Sequence, residues 1–378
     1  MYDAIIVGAR CAGSPTAMLL ARNGKRVLVV ERGTFPSDTF STHFVTAPGT
    51  ALLERWGAVE LLKERGVPFF DHIVLNVAGN PMNTRDVFGP RLVCSPRRTD
   101  LDLVLRDMAL AAGAEVRMET SVADLLRDGA GRVSGVRLRD ANGNHTEEFA
   151  PVVVGADGRT GVVGRSVAPS ARDEHEIHGR GLFAYFDEFE YQSEAAGFFD
   201  AAFVFAFPTG PKSACIGTEV GPEVDGAVRA DPEAVFLERI AFDDDLLRRV
   251  KAATRDGRWH TGEVGEGFFR HAAGPGWALV GDAALTKDPL LGHGITDSFL
   301  SAELLAQAIQ KGADGDMDAA LAEYDEALWR FLGPIYEASR DAALDFAKPG
   351  DEMFAAVMPA QMLIAEEAEM VLSGGPTL

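Results

Sequence analysis

Two glycines and an acid set the first chemical possibility in this chain. Gly8-Ala9-Arg10-Cys11-Ala12-Gly13 follows a short apolar run, and Glu31 ends the next one. Glycines at that spacing let backbone N–H groups converge on one point in front of a helix, where the dipole attracts a pyrophosphate. An acid about 20 residues further on accepts hydrogen bonds from an adenosine ribose and repels a 2′-phosphate, so the nucleotide is FAD or NAD rather than NADP. Ala9, Ser14 and Arg32 flank these positions and join the expected contacts.

The elements that must position these residues form a βαβ unit. Ala4 to Val7 reads as a strand buried on both faces, about Ala12 to Asn23 as a helix closed by Gly24, and Val27 to Val30 as a second buried strand. Arg10 stands where the middle glycine of the usual pattern would be. Cys11 reads as a small filler of the turn rather than as a reactive thiol.

Two further strand ends carry carboxylates. Val152 to Val154 ends at Gly155-Ala156-Asp157-Gly158-Arg159, and Trp277 to Val280 ends at Gly281-Asp282-Ala283. The second leads through Lys287, Asp288 and Pro289 to Gly292-His293-Gly294-Ile295, where a long amphipathic helix to about Gln310 begins. A carboxylate at a strand end facing a helix amino terminus is a poor packing device and a good ligand site.

The intervening stretches are less patterned. The Ser-, Thr- and Pro-rich loop after Glu31 carries His43 and is too long for an ordinary connection. Thr50 to Trp56 and Val59 to Glu64 read as helices. Ile73 to Val77 and Asp86 to Cys94 read as strands turning through Gly79, Asn80 and Pro81. Arg98 to Ala112 has helical spacing, Glu115 to Met118 is a strand, and Val133 to Arg139 with Thr146 to Phe149 form a hairpin.

From about Ser170 to Gly267 alternating, aromatic-rich segments indicate an antiparallel sheet. Phe203, Phe205 and Phe207 repeat with period two, so one face of that sheet either fills a core or lines an apolar substrate pocket. Helices over Glu233 to Ile240 and Asp244 to Ala252 edge it. Two more, about Met317 to Ala343 and Asp351 to Leu372, follow the third glycine motif.

The 378 residues carry 36 basic and 57 acidic side chains, a net charge of −21, which argues against nucleic acid and anionic membrane as partners. A 47% hydrophobic content suits a large buried core. Three distant cysteines, Cys11, Cys94 and Cys215, suggest neither a disulfide framework nor a metal site, and a reducing cytoplasm is expected. Asp3 precedes the first apolar run, which reads as a strand rather than a secretory signal, and no run reaches the ~18 residues of a membrane span.

Taken in order, the three strand-terminal motifs resemble those of FAD-binding flavoprotein monooxygenases built like p-hydroxybenzoate hydroxylase, with their relatives the geranylgeranyl reductases and flavin-dependent halogenases. The resemblance extends to about residue 345. It implies an α/β fold: a discontinuous Rossmann-like FAD-binding domain (1–70, 97–169 and 269–345), an inserted antiparallel substrate domain (71–96 and 170–268), and a C-terminal helix (346–378). Arg98-Thr99-Asp100-Leu101-Asp102 looks like the family's R-x-x-(L/F)-D signature, whose arginine contacts FAD. Val122 sits where the family backbone meets adenine, and Asp157-Gly158 resembles its DG motif, with Gly161 in place of the usual serine. Gly281 and Asp282, through Pro289 to Gly292, His293, Gly294 and Ile295, resemble the motif that meets the ribityl chain and the flavin.

The activity implied is NAD(P)H- and O2-using hydroxylation or epoxidation of a small apolar or aromatic molecule. NADH or NADPH would be a transient donor, and His43 and Lys287 are the candidate catalytic side chains. Phe203-Val204-Phe205-Ala206-Phe207-Pro208 also resembles the Y-x-W-x-F-P motif of geranylgeranyl reductases, which leaves prenyl reduction as the alternative. Halogenation is disfavoured because no lysine occurs from Phe69 to Val74. A non-enzymatic flavin-fold protein would have lost the later motifs.

Overall fold

The computed structural model describes residues 1–77, 80–191, 195–199, 203–344 and 350–378. Its centre is a six-stranded sheet in the order Ala273–Gly274, Trp277–Leu279, Val153–Gly155, Ala4–Val7, Val27–Val30, Glu115–Arg117, parallel except at the first pair. Its inner strands are apolar at nearly every position because helices cover both faces. Their carboxyl ends all point to one edge, so Gly8, Glu31, Gly155 and Gly281 meet there. The helix Gly13–Arg22 packs between this sheet and the long helix Gly294–Ala313.

An eight-stranded sheet supplies the opposing wall. Its order is Leu285–Thr286, Thr254–Arg270, Ala171–Asp187, Ser213–Val220, Phe203–Gly210, Ala195–Phe199, Ile73–Val77, Asn80–Asn83. All pairs are antiparallel except Ala195–Phe199 with Ile73–Val77. One face, carrying Phe183, Phe203, Phe205 and Phe207, joins the main core; the other, carrying Val204, Ala206 and Ile216, packs under Pro232–Ile240 and Asp244–Ala252 in a second core. A small sheet of Ser121–Arg127, Val133–Arg139 and His145–Phe149 stands apart.

Two expectations fail locally. Asp86 to Phe88 is helical, within Thr84–Phe88, because the Asn83 side chain caps that turn by accepting the Arg85 N–H at 2.9 Å. Only Val93–Cys94 of the expected strand is extended, against Phe69–Phe70. Asn80 and Pro81 lie in a strand paired with Ile73–Val77 rather than in a turn; Gly79 lies outside the described residues. Val122 lies within the strand Ser121–Arg127, opposite Leu138.

The chain's last helices complete the architecture. Met317–Leu344 crosses Gly294–Ala313, and Gly350–Leu372 packs on Ala47–Trp56 and reaches the edge of the eight-stranded sheet. Among the described residues no helix is long and apolar enough to cross a membrane.

Candidate functional site

The phosphate turn tolerates glycine alone. Gly8 has φ +104°, and a Cβ there would lie 2.4 Å from the Ala156 carbonyl oxygen. A Cβ on Gly13 would lie 1.8 Å from the Gly8 carbonyl oxygen. Ser14 Oγ donates to the Ala9 carbonyl at 2.6 Å and closes the turn from behind. Glu31 accepts the Ala9 N–H at 3.0 Å and the Gly33 N–H at 2.8 Å, so the ribose-side acid also braces the turn.

Arg10 leaves the turn instead of obstructing it. Its guanidinium reaches Asp102 at 2.6 Å and the Ser37 hydroxyl at 2.9 Å. The same Asp102 accepts from Arg98 Nε at 3.1 Å and Nη2 at 2.9 Å, and both Arg98 and Asp102 are buried. One carboxylate therefore aligns two arginines beside the cleft, which explains how this chain dispenses with the middle glycine. Cys11 is buried and its thiol is pushed up to about 11 by desolvation, in keeping with a filler.

The DG segment shows why serine is absent at position 161. A Cβ on Gly161 would lie 2.1 Å from Asp157 Oδ1, so the Asp157 carboxylate occupies that space itself. Its Oδ2 accepts the Val163 N–H at 3.1 Å, whereas Oδ1 is buried without a partner. Desolvation raises the Asp157 carboxyl above the usual range. Asp282 opens into the cleft at the start of Gly281–Ala283, and protein packed around its other sides raises its carboxyl against the opposing pull of Arg98.

At the far end the Pro289–Leu291 turn, Gly292 at φ +61° and the amino terminus of Gly294–Ala313 present backbone to the cleft. His293 is fully buried between two acids, with Nδ1 2.9 Å from Asp297 and Nε2 2.9 Å from Glu367. Burial opposes its charge, but Glu367 and Asp297 outweigh that and raise it to about 9. Lys287 is bound to the other oxygen of Asp297 and buried, so its ammonium is held in a network rather than presented to a ligand.

His43 is placed differently from the expectation. Its backbone has φ +65° and its ring points away from the cleft, Nε2 lying 2.6 Å from the Tyr185 hydroxyl, which in turn donates to Asp38 at 3.1 Å. Burial lowers its pKa to about 3, against the Asp38 charge and with help from Arg98, so the ring is neutral. Thr42 and Phe44 on either side of it line the cleft; His43 itself does not. Val122 is likewise absent from the lining, whereas Ala12, Glu31, Arg32, Arg98, Asp157, Gly158, Asp282, Pro289, Gly292, Gly294 and Ile295 share it.

That cleft runs from Glu31 and Arg32 past Arg98 and Asp282 to Ile295. It fits an extended dinucleotide: a turn that requires glycine at positions 8 and 13, acceptor oxygens on Asp157 and Asp282 left unpaired among the described residues, and a helix amino terminus opposite the aromatic wall. A second, largely apolar space adjoins it, and Thr42, Phe44, Phe203, Pro289 and Gly292 border both. Phe205 faces the cleft and Phe207 the chamber, where it stacks on Phe44 at 4.7 Å. Leu75 and Ile364 complete the apolar lining. Ile364 of the helix Gly350–Leu372 and Glu219 of the cleft had no local sequence signal as site residues; only tertiary packing brings them there.

Residues 1–212 match the family described as FAD binding domain, and the chain belongs to it as an FAD-dependent oxidoreductase. It is 29% identical over 336 residues to "Menaquinone reductase" of Mycolicibacterium smegmatis, covering 84% of this chain and 78% of that protein. It is 28% identical over 372 residues to "Digeranylgeranylglycerophospholipid reductase 2" of Methanopyrus kandleri, covering 93% and 88%. Among solved structures, PqsL of Pseudomonas aeruginosa in complex with 2-aminobenzoylacetate superposes with a TM-score of 0.82 at 20% identity, covering 94% of this chain and 99% of that one. The flavin-dependent brominase Bmp2 superposes with a TM-score of 0.81 at 20% identity, covering 97% and 93%. At that identity the structural likeness speaks for the fold alone.

Proposed function

We propose that this protein saturates a carbon–carbon double bond in an apolar, isoprenoid-type molecule, taking electrons from NADH or NADPH by way of FAD. The observation that carries this reading is the apolar chamber beside the Pro289–Gly292 turn, continuous with the cofactor cleft and walled by Phe44, Phe203, Phe207, Leu75 and Ile364. The sequence relatives that span most of the chain support it, since their names describe reduction of a quinone and of a geranylgeranyl lipid.

In this proposal the backbone of Gly8 to Gly13 with Ser14 holds the pyrophosphate, Glu31 the ribose, Arg98 and Asp282 the central part, and Gly292 to Ile295 the flavin. Reduced FAD, when bound, supplies a hydride. The amino terminus of Gly294–Ala313 favours the negative charge that develops beside it. The aromatic wall excludes water and orients the chain of the substrate across the cleft. Lys287, Asp297, His293 and Glu367 fix the turn rather than react, and His43 positions the loop that carries Thr42 and Phe44.

The hydroxylase reading that the motifs alone favour stays as the second. The specific feature in its favour is the stacked Phe44–Phe207 pair, which suits a planar aromatic substrate. Oxygen separates the two. The reductase reading expects anaerobic oxidation of NAD(P)H coupled to loss of a double bond in a prenyl substrate; consumption that requires O2 and yields an oxygenated aromatic product overturns it.

A further inference from the structure

Two acids of the cleft, Glu219 and Asp288, have no cation partner among the described residues. Glu219 projects from the strand Ser213–Val220 toward Gly179, where its carboxylate fills the space a Cβ would take. Among the described residues no cation and no hydrogen-bond donor meets it. Asp288 precedes Pro289, the residue that borders both cleft and chamber; its Oδ1 accepts only the Leu290 N–H at 2.9 Å. Its backbone carbonyl is fixed by Ser339 of Met317–Leu344 at 3.1 Å.

Four basic side chains of this region are engaged elsewhere, while Arg32 and Arg159 line the same cleft. Lys287 turns to Asp297, which with Glu367 also takes His293. Arg98 is bound to Asp102, and Arg180, one residue from the position opposite Glu219, is bound to Asp225. Asp282 adds a further negative charge to the same cleft. Two acids on one cleft, Asp288 buried and Glu219 half-buried, with no cation bound to either among the described residues, disfavour double ionisation and favour holding one proton between them.

We propose that Glu219 and Asp288 hold one proton at the junction of cleft and chamber and deliver it to the substrate carbon that does not receive the hydride. The inference rests on the reductase reading. Saturating one double bond consumes a hydride and a proton. The hydride, two electrons from the reduced nicotinamide nucleotide by way of FAD, forms one C–H bond. The former π pair takes the proton from Glu219 to form the other, the O–H bond breaks, and both carboxylates stay ionised until a proton returns from solvent through the cleft. Desolvation, with the Asp288 charge added, raises Glu219 to about 8, so it remains protonated at neutral pH.

Infrared titration of the FAD-loaded protein tests the pair without turnover. A protonated-carboxyl stretch that survives at pH 7, fades as pH passes about 8 and is missing in E219Q is expected; its absence at pH 7 in the unaltered protein overturns the pair. In anaerobic single turnover with geranylgeraniol, E219Q should oxidise reduced flavin about 10²- to 10⁴-fold more slowly while flavin reduction by NAD(P)H is unchanged. D288N should move the fall in rate to lower pH, because Glu219 loses its like-charged neighbour. E219Q turning over at the unaltered rate overturns the donor role. An intact infrared band in a protein that saturates no prenyl substrate overturns the reductase reading and leaves the shared proton standing.

Discussion

His293 Nε2 lies 2.9 Å from Glu367 Oε2, which ties the amino end of Gly294–Ala313 to the helix Gly350–Leu372. The wall of the chamber and the Pro289–Gly292 turn are therefore joined by a buried ion pair. With its pKa raised from 6.5 to about 9, His293 contributes stability that is fully present below pH 6.5 and is lost as pH rises through about 9. Melting temperature measured across that interval should fall, and E367Q should remove the pH-dependent step. Truncating one partner of such a pair costs about 3–5 kcal/mol, so E367Q should also melt earlier at pH 6.

Glu31 makes two hydrogen bonds to backbone N–H groups in addition to its proposed contact with the ribose. Hydrogen bonds to a charged group are worth about 1.5–3 kcal/mol each. Replacing Glu31 with alanine should weaken FAD binding by about tenfold to a hundredfold, read by fluorescence titration of flavin-free protein. Undiminished affinity would remove Glu31 from the cofactor site.

Gly161 is held open by Asp157. Restoring a side chain with G161S or G161A drives a Cβ into the Asp157 carboxylate, at an overpacking cost of about 1–3 kcal/mol. Both variants should purify with less flavin per polypeptide, measured by the visible-to-ultraviolet absorbance ratio, and serine should do no better than alanine.

Phe207 stacks on Phe44 and borders the chamber. F207A should destabilise by about 3 kcal/mol, the low end for a phenylalanine truncation because one ring face borders open space. It should also widen the range of substrates accepted. F207W should keep the fold and raise KM for long prenyl substrates; an unchanged substrate profile in both variants would place binding elsewhere.

Much of this was written locally. Continuous apolar runs such as Val27 to Val30 announce strands buried on both faces, and Gly8 and Gly24 mark where backbone must turn, so the first layer and the glycine turn at its edge were legible. The alternation of Phe203, Phe205 and Phe207 was legible too, and served both core and cavity. Asp86 to Phe88 misled because five residues give no periodicity to distinguish a capped helical turn from a strand. The sequence placed His43 in the loop beside the cleft, but its ring is buried against Tyr185 and does not line the cleft, which no spacing rule encodes. Glu219 was illegible: a lone acid in a strand looks solvated until the opposing wall is in place.

The central sheet gives the assembly of this protein an order in time. Ala4–Val7 is synthesised before Val153–Gly155, the strand it needs beside it, and that strand before its own neighbour Trp277–Leu279. A nascent polypeptide on the ribosome thus carries an incomplete cofactor cradle for most of its synthesis, with apolar strand edges exposed. Long-range pairing of this kind folds slowly, and FAD supplied during refolding should raise yield by capturing the sheet as its last parallel strand docks.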